Sequence, residues 1–191
     1  MDAMLCRIDM HTGDLDAADA WYREKAPREP THLNVMRRYQ YLTQAMVELE
    51  DGRPDTVQLT LAPLEPYIQN CARIIDGIHL NVLTAIALYR KKDERWRERL
   101  TAALDAAAEY RFIRTVSVYG TAVLPLLEVL DWDGDKAWRK RLMAAVRTQA
   151  AFYPHFLEPR LAPGEELTPT ERQILHLLCA DKSNAEIAQI M

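Results

Sequence analysis

Breaks between helical segments recur at nearly even intervals along this chain of 191 residues, and their regularity constrains the fold more than any other feature. The breaks are Gly13-Asp14, Gly52-Arg53, Lys92-Asp93 and Gly134-Asp135. They lie about 40 residues apart, which is the length of a two-helix unit in helical-repeat proteins. Because one such unit cannot bury its apolar face alone, the units are expected to stack. The spacing predicts an all-α helical-repeat solenoid over residues 1–153, with an irregular helical bundle as the alternative.

Apolar residues between the breaks recur every three or four positions, as in amphipathic helices. Alternation of the kind that marks strands is almost absent, and Ala, Leu, Arg and Glu dominate instead, which favours helix. Three stripes are predicted to be buried: Leu33, Met36, Tyr39, Leu42, Met46 and Leu49; Leu100, Ala103, Leu104 and Ala107 after Trp96; and Trp138, Leu142, Ala145, Gln149 and Phe152.

The first repeat unit carries the most specific local pattern. The run from Gly13 to Tyr22 resembles the turn and second helix of a tetratricopeptide repeat, with Ala18 as the small residue where two helices approach. Val57 and Arg139 take the place of Ala18 in later units. The resemblance therefore implies a TPR-like solenoid with degenerate repeats.

A short segment rich in proline and acidic residues follows the predicted solenoid. Residues 154–166 contain Pro154, Pro159, Pro163 and Gly164, and such a composition is typical of a linker between domains. This segment is the clearest domain boundary that the sequence offers.

The last 25 residues predict two short helices with capping signals. Thr168 is a favourable N-cap followed by Pro169 at the first helical position, and Glu171 completes a capping box. Asp181-Lys182 then ends the first helix, and Ser183 with Glu186 repeats the capping pattern. The apolar positions of the two helices are Ile174, Leu175, Leu178, Ile187 and Ile190.

This tail resembles the opening of LuxR-type helix-turn-helix domains. The similarity runs from the Leu-Thr-Pro start at residues 167–169 to the Ser-Asn-x-Glu-Ile-Ala run at residues 183–188. One departure is Asp181, where the family usually has glycine; Asp tolerates a left-handed backbone better than most residues. The positions that match the family's partial DNA-binding motif are Thr168, Glu171, Ser183, Asn184, Glu186, Ile187 and Ala188.

The resemblance implies an incomplete helix-turn-helix over residues 167–191, because the family's domain has four helices and this sequence contains only the first two. The recognition helix, which reads bases in the major groove, is not among them. DNA is therefore the expected partner of a full-length parent protein rather than of this chain. Residues 102–130 also resemble the last repeat before the helix-turn-helix in MalT-like regulators, although the chain contains no Walker motif.

Taken together, the resemblances imply the regulatory region of a LuxR/MalT-like transcriptional regulator. The expected partner of the solenoid groove is a small-molecule inducer; the alternative is a TPR-like scaffold that binds another protein or a second copy of this chain. The first helix of each unit should line the concave face. Candidate ligand-binding residues on that face are Arg38, Tyr41, His79, Asn81, Tyr89 and Tyr119.

Composition and motifs argue against several other functions. No arrangement typical of a nucleophile, a general base or a metal site is present, so we expect neither an enzyme nor a cofactor. The net charge of −4 provides no global basic surface for nucleic acid. Cys6, Cys71 and Cys179 are too scattered for a disulfide scaffold. Because no apolar run approaches the roughly 18 residues of a membrane span, a cytoplasmic protein without membrane contact is expected.

Overall fold

A computed structural model describes residues 2–28 and 35–160, together with Thr170, Gln173, Ile174, Leu177 and Ile187. Every regular element in these residues is helical, and none of them lies in a strand, so the predicted all-α class is confirmed. The chain divides into two compact units, Met1–Pro159 and Arg160–Met191. No helix within the described ranges combines the length and apolarity needed to cross a membrane.

Ten helices account for the described part of the first unit, with a short 3₁₀ turn at Val35–Arg37. They are α1 (Asp2–Thr12), α2 (Leu15–Lys25), α3 (Arg38–Glu50), α4 (Pro54–Leu61), α5 (Leu64–Asn70), α6 (Ile74–Arg90), α7 (Trp96–Glu109), α8 (Arg114–Ser117), α9 (Gly120–Val129) and α10 (Lys136–Phe152).

The helices pack as consecutive pairs, α1 with α2, α3 with α4, α6 with α7 and α9 with α10. The first helices of successive pairs also contact one another, α1 with α3, α3 with α6, and α6 with α9. Each of the four predicted breaks lies between the two helices of a pair. Helix α6 occupies the centre of the unit, with nine of its residues buried.

Glycine and aspartate have separate roles at the breaks. Gly13 has a φ of +82°, a left-handed conformation that ends α1, and the side chain of Asp14 then accepts a hydrogen bond from the backbone N–H of Ala17. At the last break, Asp135 accepts hydrogen bonds from the backbone N–H groups of Ala137 and Trp138, both at 2.9 Å. The aspartates thus satisfy N–H groups that begin α2 and α10.

Five helices end with the same backbone geometry, although only two of them use glycine. In each case the residue after a left-handed position donates its N–H to the carbonyl five residues earlier, as in a Schellman motif. The left-handed residues are Gly13, Gly52, Ala72, Lys92 and Arg111. The corresponding N–H donors are Asp14, Arg53, Arg73, Asp93 and Phe112, at 2.8 to 3.0 Å.

Replacing Ala72 by glycine is expected to raise the free energy of unfolding by about 0.5–1 kcal/mol, because glycine adopts a left-handed φ without steric cost. Ala72 is exposed and has a φ of +48°. The matched opposite change is Gly13→Ala, which should destabilise the protein by about 1 kcal/mol. No atom lies within 4 Å of the Cβ added at Gly13, so that variant isolates the backbone term. Urea denaturation of both variants measures the effect; changes of the same sign would contradict it.

The predicted stripes agree with the structure to different degrees. In α7 all four predicted residues are buried, and so is Trp96. In α10 Trp138 and Leu142 are buried, but Val146 completes the buried face, while Phe152 is 74% exposed. Leu42, Met46 and Leu49 are buried in α3, whereas the prediction was wrong for Met36 and Tyr39. Met36 lies in the 3₁₀ turn and Tyr39 in the first turn of α3, so neither shares the buried face; Leu33 lies outside the described residues.

The chain after α10 packs back on the first unit. We call residues 153–157 the strap. Phe156 and Leu157 are almost completely buried, and the His11 ring of α1 stacks on Phe156 with ring centroids 3.8 Å apart. Arg90, at the end of α6, donates hydrogen bonds to the carbonyl oxygens of Leu49 (2.6 Å) and Leu157. The strap thus joins the ends of α1, α3 and α6, and the first part of the predicted linker belongs to the core.

In the second unit, the described residues Thr170, Gln173, Ile174, Leu177 and Ile187 are helical, and Ile187 is buried. The other positions of the partial DNA-binding motif lie outside the described residues: Thr168, Glu171, Ser183, Asn184, Glu186 and Ala188. The incomplete helix-turn-helix therefore remains a prediction from the sequence.

Candidate functional site

The six residues predicted on the concave face have different structural roles. Tyr41 and Tyr119 are buried, and Tyr89 packs edge-on against Trp96 with ring centroids 5.3 Å apart. Arg38 pairs with Asp76 at 3.1 Å, and Asn81 accepts a hydrogen bond from Arg99 at 3.3 Å. These contacts connect helices to one another.

His79 and Tyr119 are brought together by the packing of α6 near α8. The Nδ1 atom of His79 lies 2.8 Å from the Tyr119 hydroxyl oxygen. Burial lowers the pKa of His79 to about 4, with a further decrease from the positive charge of Arg7, and raises the pKa of Tyr119 above its usual range. His79 is therefore neutral at pH 7, and its Nδ1 can accept a hydrogen bond from Tyr119.

A cavity of about 540 Å³ lies between α1, α8, the start of α3, the end of α10 and the beginning of the strap. We call it the α1/α10 cavity. Its polar lining residues are Arg7, His11, Thr12, Tyr39, Arg114 and Gln149. Its apolar walls are formed by Met4, Ile8, Val118, Phe152 and Tyr153. This volume is typical of small-molecule sites, and the mixture of apolar walls with a few polar groups is typical too.

Arg7 is fixed in place at the side of this cavity. Its Nε donates to Thr43 Oγ1 at 2.8 Å, its Nη2 donates to the carbonyl oxygen of Tyr39 at 3.3 Å, and its guanidinium lies 3.7 Å from the centre of the Tyr39 ring. Burial lowers the pKa of Arg7. Within the described residues no carboxylate pairs with it, so a partly desolvated positive charge faces the cavity.

Arg114 contributes a second positive charge. Its side chain is exposed at the start of α8 and forms no ion pair within the described ranges. Burial is the main cause of the lowered pKa of His11, and the charges of Arg7 and Arg114 lower that pKa further. Both guanidiniums therefore act on the same imidazole. The cavity is locally positive although the whole chain carries a net charge of −4.

His11 connects the cavity to the strap. Its Nδ1 lies 2.6 Å from the carbonyl oxygen of Arg7, and its ring contacts Tyr153 edge-on, with centroids 4.8 Å apart. The same ring also stacks on Phe156 in the strap. A shift of the His11 ring would therefore change its contacts with Tyr153 and Phe156.

A second cavity, of about 680 Å³, lies along α10 and the loop before it. The charged residues of its lining are two acids, Asp131 and Asp133, and four bases, Lys136, Arg139, Lys140 and Arg147. Here two carboxylates offset half of the four positive charges, whereas no acidic residue lines the α1/α10 cavity. The two cavities therefore differ in whether carboxylates accompany the basic side chains.

Sequence reasoning did not identify the α1/α10 cavity. Neither Arg7 nor His11 was predicted to line a ligand site, and Phe152 was expected to be buried in the α10 stripe. The cavity combines residues from opposite ends of the first unit, where the strap also contacts α1 through His11. No local pattern links residue 7 to residue 152. The one local signal was the apolar character of Met4 and Ile8 in a helix whose buried residues are Ala3, Cys6 and Met10.

Comparisons with protein-family models, with curated proteins and with solved structures find no match for this chain. Within the described residues, no group of three His, Cys, Asp or Glu side chains is arranged to hold a metal ion. Interpretation of the site therefore depends on its own geometry and on the sequence motif in the tail.

Proposed function

We propose that this chain is the ligand-sensing region of a LuxR/MalT-like transcriptional regulator. In this proposal the helical region 1–153 is a TPR-like solenoid that binds a small molecule and thereby controls DNA binding by the C-terminal helix-turn-helix of the parent protein. The main observation in support of this proposal is the α1/α10 cavity, whose two guanidiniums have no carboxylate partner within the described residues. The helical pairs and the motif at residues 183–188 support the family assignment.

The position of the cavity supports a sensory function. Tyr153 lines the cavity and is also the first residue of the strap, whose other residues are the first part of the predicted linker. A ligand that contacts Tyr153 and His11 would therefore shift the strap if its affinity differed between two strap positions. Such differential binding is what an effector needs in order to regulate a distant DNA-binding domain.

A protein-interaction scaffold is the second candidate. It is favoured by large apolar side chains exposed outside the cavity, such as Leu5 (52% exposed) and Met36 (81% exposed). Exposed apolar side chains that form a contiguous surface are typical of protein-binding sites. The two candidate functions differ in whether a small molecule must occupy the α1/α10 cavity.

A tryptophan that fills the cavity should abolish ligand binding. We expect compounds from a metabolite panel of neutral, cationic and anionic members to raise the melting temperature of the chain, and Ile8→Trp to remove that increase. Ligand at 100 times its Kd adds about 2.7 kcal/mol to the free energy of unfolding, so the shift is readily measured by differential scanning fluorimetry.

The matched control is Leu59→Trp, because Leu59 is 73% exposed on α4 and does not line this cavity. It should keep every ligand-induced increase in melting temperature. Increases that survive in Ile8→Trp would place the ligand elsewhere, and a panel without any stabilising compound would favour the scaffold.

A further inference from the structure

We infer that the α1/α10 cavity binds a small organic anion, whose carboxylate or phosphate lies between Arg7 and Arg114 and whose apolar body packs against Met4, Ile8 and Phe152. This inference deepens the proposed function and rests on it. It assigns a chemical class to the ligand.

Arg7 has more hydrogen-bond donors than its described partners use. A guanidinium has five N–H donors, and here Nε and Nη2 are oriented by Thr43 and by the Tyr39 carbonyl. No described residue accepts a hydrogen bond from Nη1. The side chain is thus held rigidly, with two donors on one nitrogen still available. Rigid guanidiniums bind carboxylates and phosphates well because little side-chain entropy is lost.

The positive charges of the α1/α10 cavity are not balanced by the residues that line it. Burial of a guanidinium costs free energy that a nearby carboxylate normally offsets. None of the residues lining the α1/α10 cavity is acidic, and two of them are arginines. A bound anion would therefore supply the missing negative charge. In the cavity along α10, by contrast, Asp131 and Asp133 accompany four basic residues and offset part of their charge.

Large apolar side chains form the rest of the cavity wall. Phe152 is 74% exposed and Met4 is 62% exposed, although both are large apolar side chains. Covering such a side chain stabilises a complex by about 1.5–3 kcal/mol when burial is complete. An inorganic anion would leave this surface in water, whereas an aryl or alkyl group would cover it. The inference is therefore an organic anion.

The test compares ligands that have the same body and different charges. Isothermal titration calorimetry of the full chain uses phenylacetate, phenyl phosphate, neutral phenylacetamide and inorganic phosphate. This set separates the contribution of the negative charge to affinity from that of the apolar body. We expect phenylacetate or phenyl phosphate to bind at least tenfold more tightly than both phenylacetamide and inorganic phosphate. The better of the two identifies the anionic group. Equal affinity for phenylacetate and phenylacetamide, or no binding of either organic anion, would overturn the inference.

Arginine variants locate the anion. Arg114→Gln should weaken binding of the preferred anion about tenfold or more and leave the affinity for phenylacetamide unchanged. The control is Arg141→Gln, which removes the same charge from an exposed position on α10 outside the cavity. Equal effects of Arg114→Gln and Arg141→Gln would contradict the site.

Arg7→Lys keeps the positive charge and removes the planar fork, and it should also weaken binding tenfold while its circular dichroism spectrum stays native. If that variant fails to fold, Arg114→Gln still decides the question, because Arg114 is exposed. Neutral compounds that bind and are blocked by Ile8→Trp, in a protein that does not bind either organic anion, would refute the charge assignment and leave the proposed sensing function intact.

Discussion

Replacing Trp138 by alanine is expected to lower the free energy of unfolding by about 3–5 kcal/mol, the cost of deleting a large buried aromatic side chain. Trp138 is fully buried in the first turn of α10 and packs on Trp132 with ring centroids 5.6 Å apart. Because α10 provides Gln149 and Phe152 to the α1/α10 cavity, loss of this anchor should also weaken ligand binding. Chemical denaturation measures the change in stability.

Trp138→Phe is the informative control. The Trp138 indole nitrogen is buried and has no hydrogen-bond partner within the described residues, whereas the Trp132 indole donates to Asp105 at 2.8 Å. An unpartnered buried donor costs about 1–3 kcal/mol, so phenylalanine removes that cost while it keeps most of the apolar contact. We expect Trp138→Phe to destabilise far less than Trp138→Ala. A similar loss in both variants would show that the indole shape, rather than burial of apolar area, holds α10.

Acidification from pH 7 to pH 4 is expected to destabilise the protein by up to about 3 kcal/mol through His79 alone. The pKa of His79 is about 4 in the folded protein and 6.5 in the unfolded chain. Between these values the unfolded state binds more protons than the folded state. The stability contributed by the neutral, buried ring is therefore fully present above pH 6.5 and is lost as the pH falls through the folded pKa. His11 acts in the same direction, because its pKa is also lowered.

Urea denaturation at a series of pH values checks this expectation. His79→Gln should flatten the pH dependence between pH 6.5 and pH 4, since glutamine does not titrate. The matched control is His155→Gln, because the side chain of His155 is 88% exposed in the unsubstituted protein. This variant should leave the curve unchanged. If His79→Gln retained the full pH dependence, other groups would have to be responsible for the acid sensitivity.

The helical pairs could be predicted because their signals are local. The Gly-Asp breaks at residues 13 and 134 place an N-cap aspartate at the start of the next helix, and the α7 stripe has a regular period in the middle of a helix. The errors occur at helix ends. Tyr39 fits the periodicity of α3, yet it is in the first turn, where its side chain is 41% exposed beside Arg7.

The candidate site could not be predicted, since its residues are distant in sequence. Hydrophobic periodicity assigns a residue to a face of its own helix and says nothing about which distant helix covers that face. Phe152 has the period of a core residue but lies at the rim of a cavity. His79 and Tyr119, chosen as polar residues on first helices, turned out to pair with each other in the interior.

The strap has a consequence for cooperativity. In a linear array of helical pairs each pair contacts only its neighbours, so the end pairs can unfold while the middle remains folded. Here the segment after the last helix contacts His11 in the first helix and, through Arg90, the ends of α3 and α6. The C-terminal end of the first unit is thus connected by direct contacts to its first helix. Unfolding of either end would have to break the contacts between the strap and α1. The first unit should therefore unfold in a single transition.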